Sequence, residues 1–133
     1  RSERHASHGR YSLEARLMPG EYPGVGLQWV ENDWRGYDWL CFDAFLEEDT
    51  PLALTVRVHD REHDRKDVQD YSDRFNRTFV LDPGAHQVRI SLDEVRTAPL
   101  GREMDMAQVM NMTIFACMLE EERVVYLDNF RLE

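Results

Sequence analysis

The chain has 133 residues, enough for one domain around one hydrophobic core. An apolar content of 42% is that of a folded chain rather than a disordered one, and no apolar run approaches the roughly 18 residues of a membrane helix. Lys and Arg total 16 against 26 Asp and Glu, a net charge of −10; with no cationic excess to neutralise phosphates, nucleic acid and anionic lipid are excluded as natural partners.

No signal peptide is visible, and the opening at Arg1 without an initiator Met suggests an excised piece of a longer protein. Cys41 and Cys117 lie in separate apolar segments, outside any metal-type spacing, and read as two free thiols or one disulfide.

Residues 1–10, rich in charge, Ser and His, read as a loop or strand edge. Segment 11–18 alternates Leu13, Ala15 and Leu17 against Ser12, Glu14 and Arg16, a half-buried strand closed by Pro19-Gly20. Segment 24–30 puts Val25, Leu27 and Trp29 on one face, with Trp29 expected in the core. Gly26 and Gln28 on the other face predict a close approach or a flat surface. Loop 31–38 carries Trp34 and Tyr37; Trp34 is either a sugar platform or a lid over a sheet edge. Segment 39–46 turns Leu40, Phe42, Ala44 and Leu46 inward and leaves Trp39 beside Asp43, partly exposed.

After a turn at 47–51, Leu52, Leu54, Val56 and Val58 alternate with Ala53, Thr55, Arg57 and His59. A charged loop comes next, and a return strand begins at Arg74, with Phe75, Phe79 and Leu81 opposite Arg74, Asn76 and Thr78. Asp82-Pro83-Gly84 is a turn, and segment 86–92 places Val88, Ile90 and Leu92 inward. Helical turns are expected at Leu92–Val95 and Asp105–Met110, where Met104, Met106 and Met110 plug the core. Segment 112–119, apolar on both sides, reads as a central strand; 120–123 is an acidic turn and 124–132 the last strand. Roughly eight short strands with brief helical turns make an all-β sandwich or barrel. With no internal repeat or linker, residues 1–133 read as one domain.

The ordered motifs S-H-G-R-Y-S-L-E, E-Y-P-G-V-G-L, D-W-R-G-Y-D-W-L, V-R-V-H-D, D-R-F-N, D-P-G, G-R-E-M-D and Y-L-D-N-F-R-L span nearly the whole chain. They resemble the galactose-binding-like jelly rolls, a group that holds many bacterial carbohydrate-binding modules, and in particular the carbohydrate-binding-like domains attached to VanZ-like membrane proteins. The resemblance implies a galactose-binding-like jelly-roll β-sandwich. It also implies a monomeric module of a larger periplasmic or extracellular protein, tethered to a membrane domain. It implies a structural calcium held by an Asp of the last strand, here Asp128, with Glu3 as an uncertain second ligand.

Sugar recognition needs planar arrays of hydrogen-bonding groups for hydroxyls and an aromatic plate for the ring face. Arg57, His59 and Asp60 at the end of one strand, Asp73, Arg74 and Asn76 at the start of the next, His63 between them and Arg102 after Gly101 form the candidate cluster. Trp34 and Trp39 are the candidate plates. The same residues could instead pair, Asp60 and Asp73 with Arg74 and Arg102, to pin the loop. His59 and His63 with Asp60 and Asp64 also offer transition-metal ligands. Asn76-Arg77-Thr78 and Asn111-Met112-Thr113 match the glycosylation pattern by chance within strands. The reading is a non-catalytic module that binds an oligo- or polysaccharide in a polar groove. Its rivals are a protein-docking scaffold, marked by an exposed apolar patch, and a glycoside-active enzyme with Asp60 and Asp73 as its carboxylate pair.

Overall fold

The computed structural model describes residues 1–28 and 31–133, so Trp29 lies outside the described residues. Among them the elements run β1 (Leu13–Leu17), β2 (Gly24–Leu27), β3 (Trp39–Leu46), β4 (Leu52–Asp60), α1 (Arg61–Asp64), a 3-10 turn at Tyr71–Asp73, β5 (Phe75–Leu81), β6 (Gly84–Ser91), α2 (Leu92–Thr97), β7 (Val109–Phe115) and β8 (Arg123–Leu132). They build two antiparallel four-stranded sheets, ordered β1-β8-β3-β6 and β2-β7-β4-β5. The fold is an all-β sandwich, one of the two architectures that the spacing of short strands predicts, and of the jelly-roll kind that the resemblance implies.

The alternating residues fill the space between the sheets. Leu40, Phe42, Ala44 and Leu46 of β3 face Leu52, Leu54, Val56 and Val58 of β4 across one apolar cluster, joined by Ile90, Met112, Ile114 and Leu127. Each fully buried aliphatic side chain contributes roughly 1.5–3 kcal/mol of transfer free energy. Met104 is a core plug, while Met106 is only partly buried.

Two boundaries differ from the sequence expectation. Over 105–110 only a single hydrogen-bonded turn forms, Gln108 N donating to Asp105 O at 3.0 Å; the chain then enters β7 at Val109, and Asp60 of β4 pairs with it. β7 is interior, between β2 and β4, but it ends at Phe115 instead of 119. There the backbone turns, with Met118 at φ 52°, and Gly20 and Leu119 form an isolated bridge. Apolar character at 116–119 reflects this docking of the turn and not ladder pairing. The ends of the 61–74 loop are capped: the Asp60 side chain accepts from His63 N at 3.0 Å, and Asp70 accepts from Ser72 N at 3.3 Å.

Candidate functional site

Strand alternation sorts the polar residues around the 61–74 loop onto opposite sides of the β2-β7-β4-β5 sheet. The even positions of β4 point into the sandwich, and Asp60 continues that row; Asp73 precedes inward-facing Phe75. Both carboxylates are therefore drawn inside, where Arg102 meets them. Its Nη1 and Nη2 donate to Asp60 at 2.7 and 3.0 Å, and its Nε and Nη2 donate to Asp73 at 2.7 and 3.1 Å. Asp60 also accepts from the Asp105 amide at 2.7 Å. His63 Nδ1 lies 3.1 Å from Asp73, and Lys66 Nζ 2.9 Å from it.

Asp60 and His63 are wholly inaccessible. Burial raises the Asp60 pKa, but the Arg102 fork and two backbone amides outweigh it and hold the group below its ordinary value. Arg102 likewise depresses Asp73 far below the carboxylate range, and the two acids raise Arg102 in return. The expectation that Asp60, His63, Asp73 and Arg102 face a ligand is thus corrected: they neutralise one another and pin the loop. One guanidinium forking to two carboxylates satisfies all three at once, which an open cleft would not do. The cluster also fixes the adjoining backbone. Tyr71 and Arg74 flank Asp73, and Leu100 N donates to Ser72 O at 2.8 Å.

The odd positions of β4 face outward. Register aligns Gly24, Phe115, Thr55 and Thr78 in one cross-strand row and Gly26, Thr113, Arg57 and Asn76 in the next. His59 stands opposite Asn111 at the sheet end, beside a bulge between His59 and Asp60. The result is an open groove of about 410 Å³ floored by Thr55, Arg57, Thr78, Thr113 and Phe115 and flanked by Tyr22, Tyr71, Arg74 and Cys117. Its floor mixes threonine and arginine side chains with the Phe115 ring, and two tyrosines flank it. Tyr22 and Tyr71 are 69% and 65% exposed; Tyr22 meets Phe115 edge-on at 6.1 Å, and Arg74 lies over the Tyr71 ring at 5.4 Å.

Thr55 and Thr78 share a hydrogen bond at 2.8 Å across the strands. Arg74 Nε donates to Asn76 Oδ1 at 3.1 Å, whose amide nitrogen donates to Tyr71 O at 3.1 Å, so the wall is tied to the floor. Arg57 Nη2 lies 3.4 Å from His59 Nδ1. Burial, and then the charge of Arg74, lower the Arg57 pKa. Burial, Arg57 and His63 lower that of His59, which is accordingly neutral at pH 7. His59 and His63 are close, with ring centroids 5.1 Å apart, but no group of three or more His, Cys, Asp and Glu able to hold a metal exists among the described residues.

The structure therefore brings Arg57 and Arg74 to the groove, with Asn76 tying its wall to its floor; His59, 4% exposed, does not line it, so its expected contact with ligand is corrected. The tryptophans lie elsewhere. Trp34 is 1% exposed and part of the core, so the platform expectation is corrected in favour of the lid. Trp39 is half-buried beneath Arg89, 4.2 Å from its ring, beside a different hollow shared with Tyr37 and Arg96. Sequence reasoning missed Tyr22, Tyr71, Thr113 and Phe115. The only signal for the tyrosines was position: each sits in a turn just before an edge strand.

Asp128 is half-buried under the N-terminal segment. Its Oδ2 accepts from Ser7 N at 2.8 Å and His8 N at 2.9 Å, and its Oδ1 from Asn129 N at 2.7 Å. Asp43, its neighbour across the ladder, accepts from Ser7 Oγ at 2.7 Å and Asn129 Nδ2 at 3.1 Å. Calcium requires six to eight oxygen ligands. Here N–H groups converge on the carboxylate, and Glu3 pairs instead with Arg10 at 2.6 Å. This donor set does not fit calcium; it fits an anion that tethers a chain terminus.

No known protein family matches the sequence, and no curated protein does. Solved structures do. The chain superposes on a family 11 carbohydrate-binding module from Clostridium thermocellum, in complex with a β-1,3-1,4-mixed-linked tetrasaccharide, with a TM-score of 0.71 and 12% identity over 93% of this chain and 76% of that one. A family 28 carbohydrate-binding module specific for non-crystalline cellulose gives 0.62 and 14% over 97% and 78%. The chain shares its fold with carbohydrate-binding modules. An agarase gives 0.70 and 16%, but 92% of this chain spans only 22% of that enzyme.

Proposed function

We propose that the chain is a non-catalytic module that binds an oligo- or polysaccharide across the outer face of the β2-β7-β4-β5 sheet. The observation that carries this reading is the groove: a floor of Thr and Arg side chains beside the Phe115 ring, between two largely exposed tyrosines. Aromatic rings offer a plate to the apolar face of a pyranose, and hydroxyl and guanidinium groups meet its hydroxyls. Hydrogen bonds to sugar replace hydrogen bonds to water, so affinity is modest.

Catalysis is disfavoured by the same geometry. Glycoside hydrolysis needs two carboxylates across the scissile bond, yet no Asp or Glu lines the groove, and Asp60 and Asp73 are committed to Arg102. From the resemblance we further propose that the chain acts as a monomer outside the cytoplasm, within a larger protein tethered at a membrane. Affinity electrophoresis against a panel of soluble glycans tests the reading. Tyr22→Ala and Tyr71→Ala should each weaken retention roughly 2- to 10-fold, the worth of one aromatic contact, with unchanged far-UV circular dichroism. Retention that survives the double variant intact would place the ligand elsewhere.

A further inference from the structure

The groove differs in charge from the rest of the molecule. The chain has a net charge of −10, yet the groove lining contains two arginines and no carboxylate. Most arginines elsewhere pair with acids, whether buried as Arg102 on Asp60 or at the surface as Arg35 on Asp33, while Arg61 bonds Gln108 instead. Arg57 and Arg74 make no ion pair among the described residues. Arg57 is half-buried between Thr113 and Asn76, and its Nε–H is buried with no acceptor. Arg74 has Asn76 and the Tyr71 face but no anion. Asp64 contacts His59 Nε2 at 3.5 Å and acts on Arg57 only through space, without an ion pair to either arginine. A partly desolvated guanidinium beside a second one is unfavourable without a counter-charge.

We infer that the groove takes an anionic saccharide, its carboxylate or sulfate group lying between Arg57 and Arg74. The inference rests on the groove being the saccharide site. A guanidinium presents a planar fork of donors that matches both oxyanions, and Arg57 and Arg74 both line the groove. Thr55, Thr78 and Thr113 remain for ring hydroxyls. Because the net charge of the chain repels long polyanions, the fitting ligand is a short segment with its charge seated locally.

Isothermal titration with four short oligosaccharides tests this: an oligogalacturonate, its fully methyl-esterified form, a sulfated oligogalactan, and its desulfated form. Binding of the uronate or the sulfated galactan at least about tenfold tighter than its uncharged partner is expected, the worth of one charge-assisted pair; whichever charged arm binds identifies the oxyanion. Arg57→Gln and Arg74→Gln, each checked by thermal melting, should bring the charged and uncharged partners to within about threefold of each other. If Arg57→Gln fails to fold, Arg74→Gln alone decides. Equal binding of charged and uncharged partners, lost in Tyr71→Ala, overturns the anion preference and leaves the saccharide site standing. Charged ligands that bind regardless of Tyr71→Ala and of both arginine variants overturn both.

Discussion

Arg102→Ala tests the buried cluster directly. The substitution leaves Asp60, which is wholly inaccessible, and Asp73, 8% exposed, without their common cation. Removing one partner of a buried ion pair costs roughly 3–5 kcal/mol, because the remaining charge is left uncompensated. Asp60 keeps its bonds from the His63 and Asp105 amides, and Asp73 keeps Lys66, which places the expectation at the lower half of that range. For a chain of this size the loss corresponds to a melting temperature lower by roughly 10–15 °C. Urea unfolding followed by circular dichroism measures it.

The pH dependence has a definite sign. In the parent both carboxylates have folded-state values depressed below their ordinary one near 3.8. Their contribution is fully present above that value and lost as pH falls through the folded values. In Arg102→Ala burial raises them, so the variant gains relative stability as pH falls through those raised values; the gap begins to narrow above about pH 4 and narrows further below it as the parent loses its own contribution. A loss under about 1 kcal/mol at pH 7, or a gap that does not change with pH, would refute the account of the cluster. Since Asp73 sits between Tyr71 and Arg74, glycan affinity should fall as well, even where the variant is fully folded.

Other substitutions probe neighbouring features. Gly24→Ala brings a Cβ to 2.5 Å from Phe115 Cβ and 2.6 Å from Ile114 O, so urea unfolding should show a loss of roughly 1–3 kcal/mol. Gly26→Ala, whose nearest neighbour is Asn111 Oδ1 at 3.9 Å, should stay within about 0.5 kcal/mol. Asp128→Ala removes the acceptor for three backbone amides and should cost roughly 1.5–3 kcal/mol in the same assay. Millimolar calcium or a chelator should leave the melting temperature of the parent unmoved; a rise with calcium would show that the terminus rearranges to bind it.

The sandwich was legible because burial writes a period-two signal that survives in one sequence. Leu40, Phe42, Ala44 and Leu46, or Leu52 to Val58, announce both strand and inward face. The same alternation, carried one residue further, separates Arg57 and His59 from Asp60, and Arg74 and Asn76 from Asp73. Grouping these residues by closeness in sequence hid that division. Pairing of Asp60 and Asp73 with Arg74 or Arg102 is readable in the sequence as the alternative to binding, and the fold selects Arg102 alone. Tyr22 and Phe115 become neighbours through the β2–β7 pairing, a register that neither segment encodes alone.

Cluster and groove are two consequences of one arrangement. The loop between β4 and β5 needs acids at both ends: Asp60 to cap α1, and Asp73 to receive Arg102 and Lys66. Were these carboxylates to turn outward, they would lie within reach of Arg57 and Arg74 and neutralise the groove from within. Alternation turns them inward, and Arg102 holds them there. The outer arginines are left without an ion pair among the described residues: His59 contacts Arg57, Asn76 and Tyr71 contact Arg74, and Asp64 acts on Arg57 only at a distance. A charge unsatisfied by the protein is available to a ligand, so stability at the loop and selectivity on the sheet depend on the same residue, Arg102, which touches no ligand.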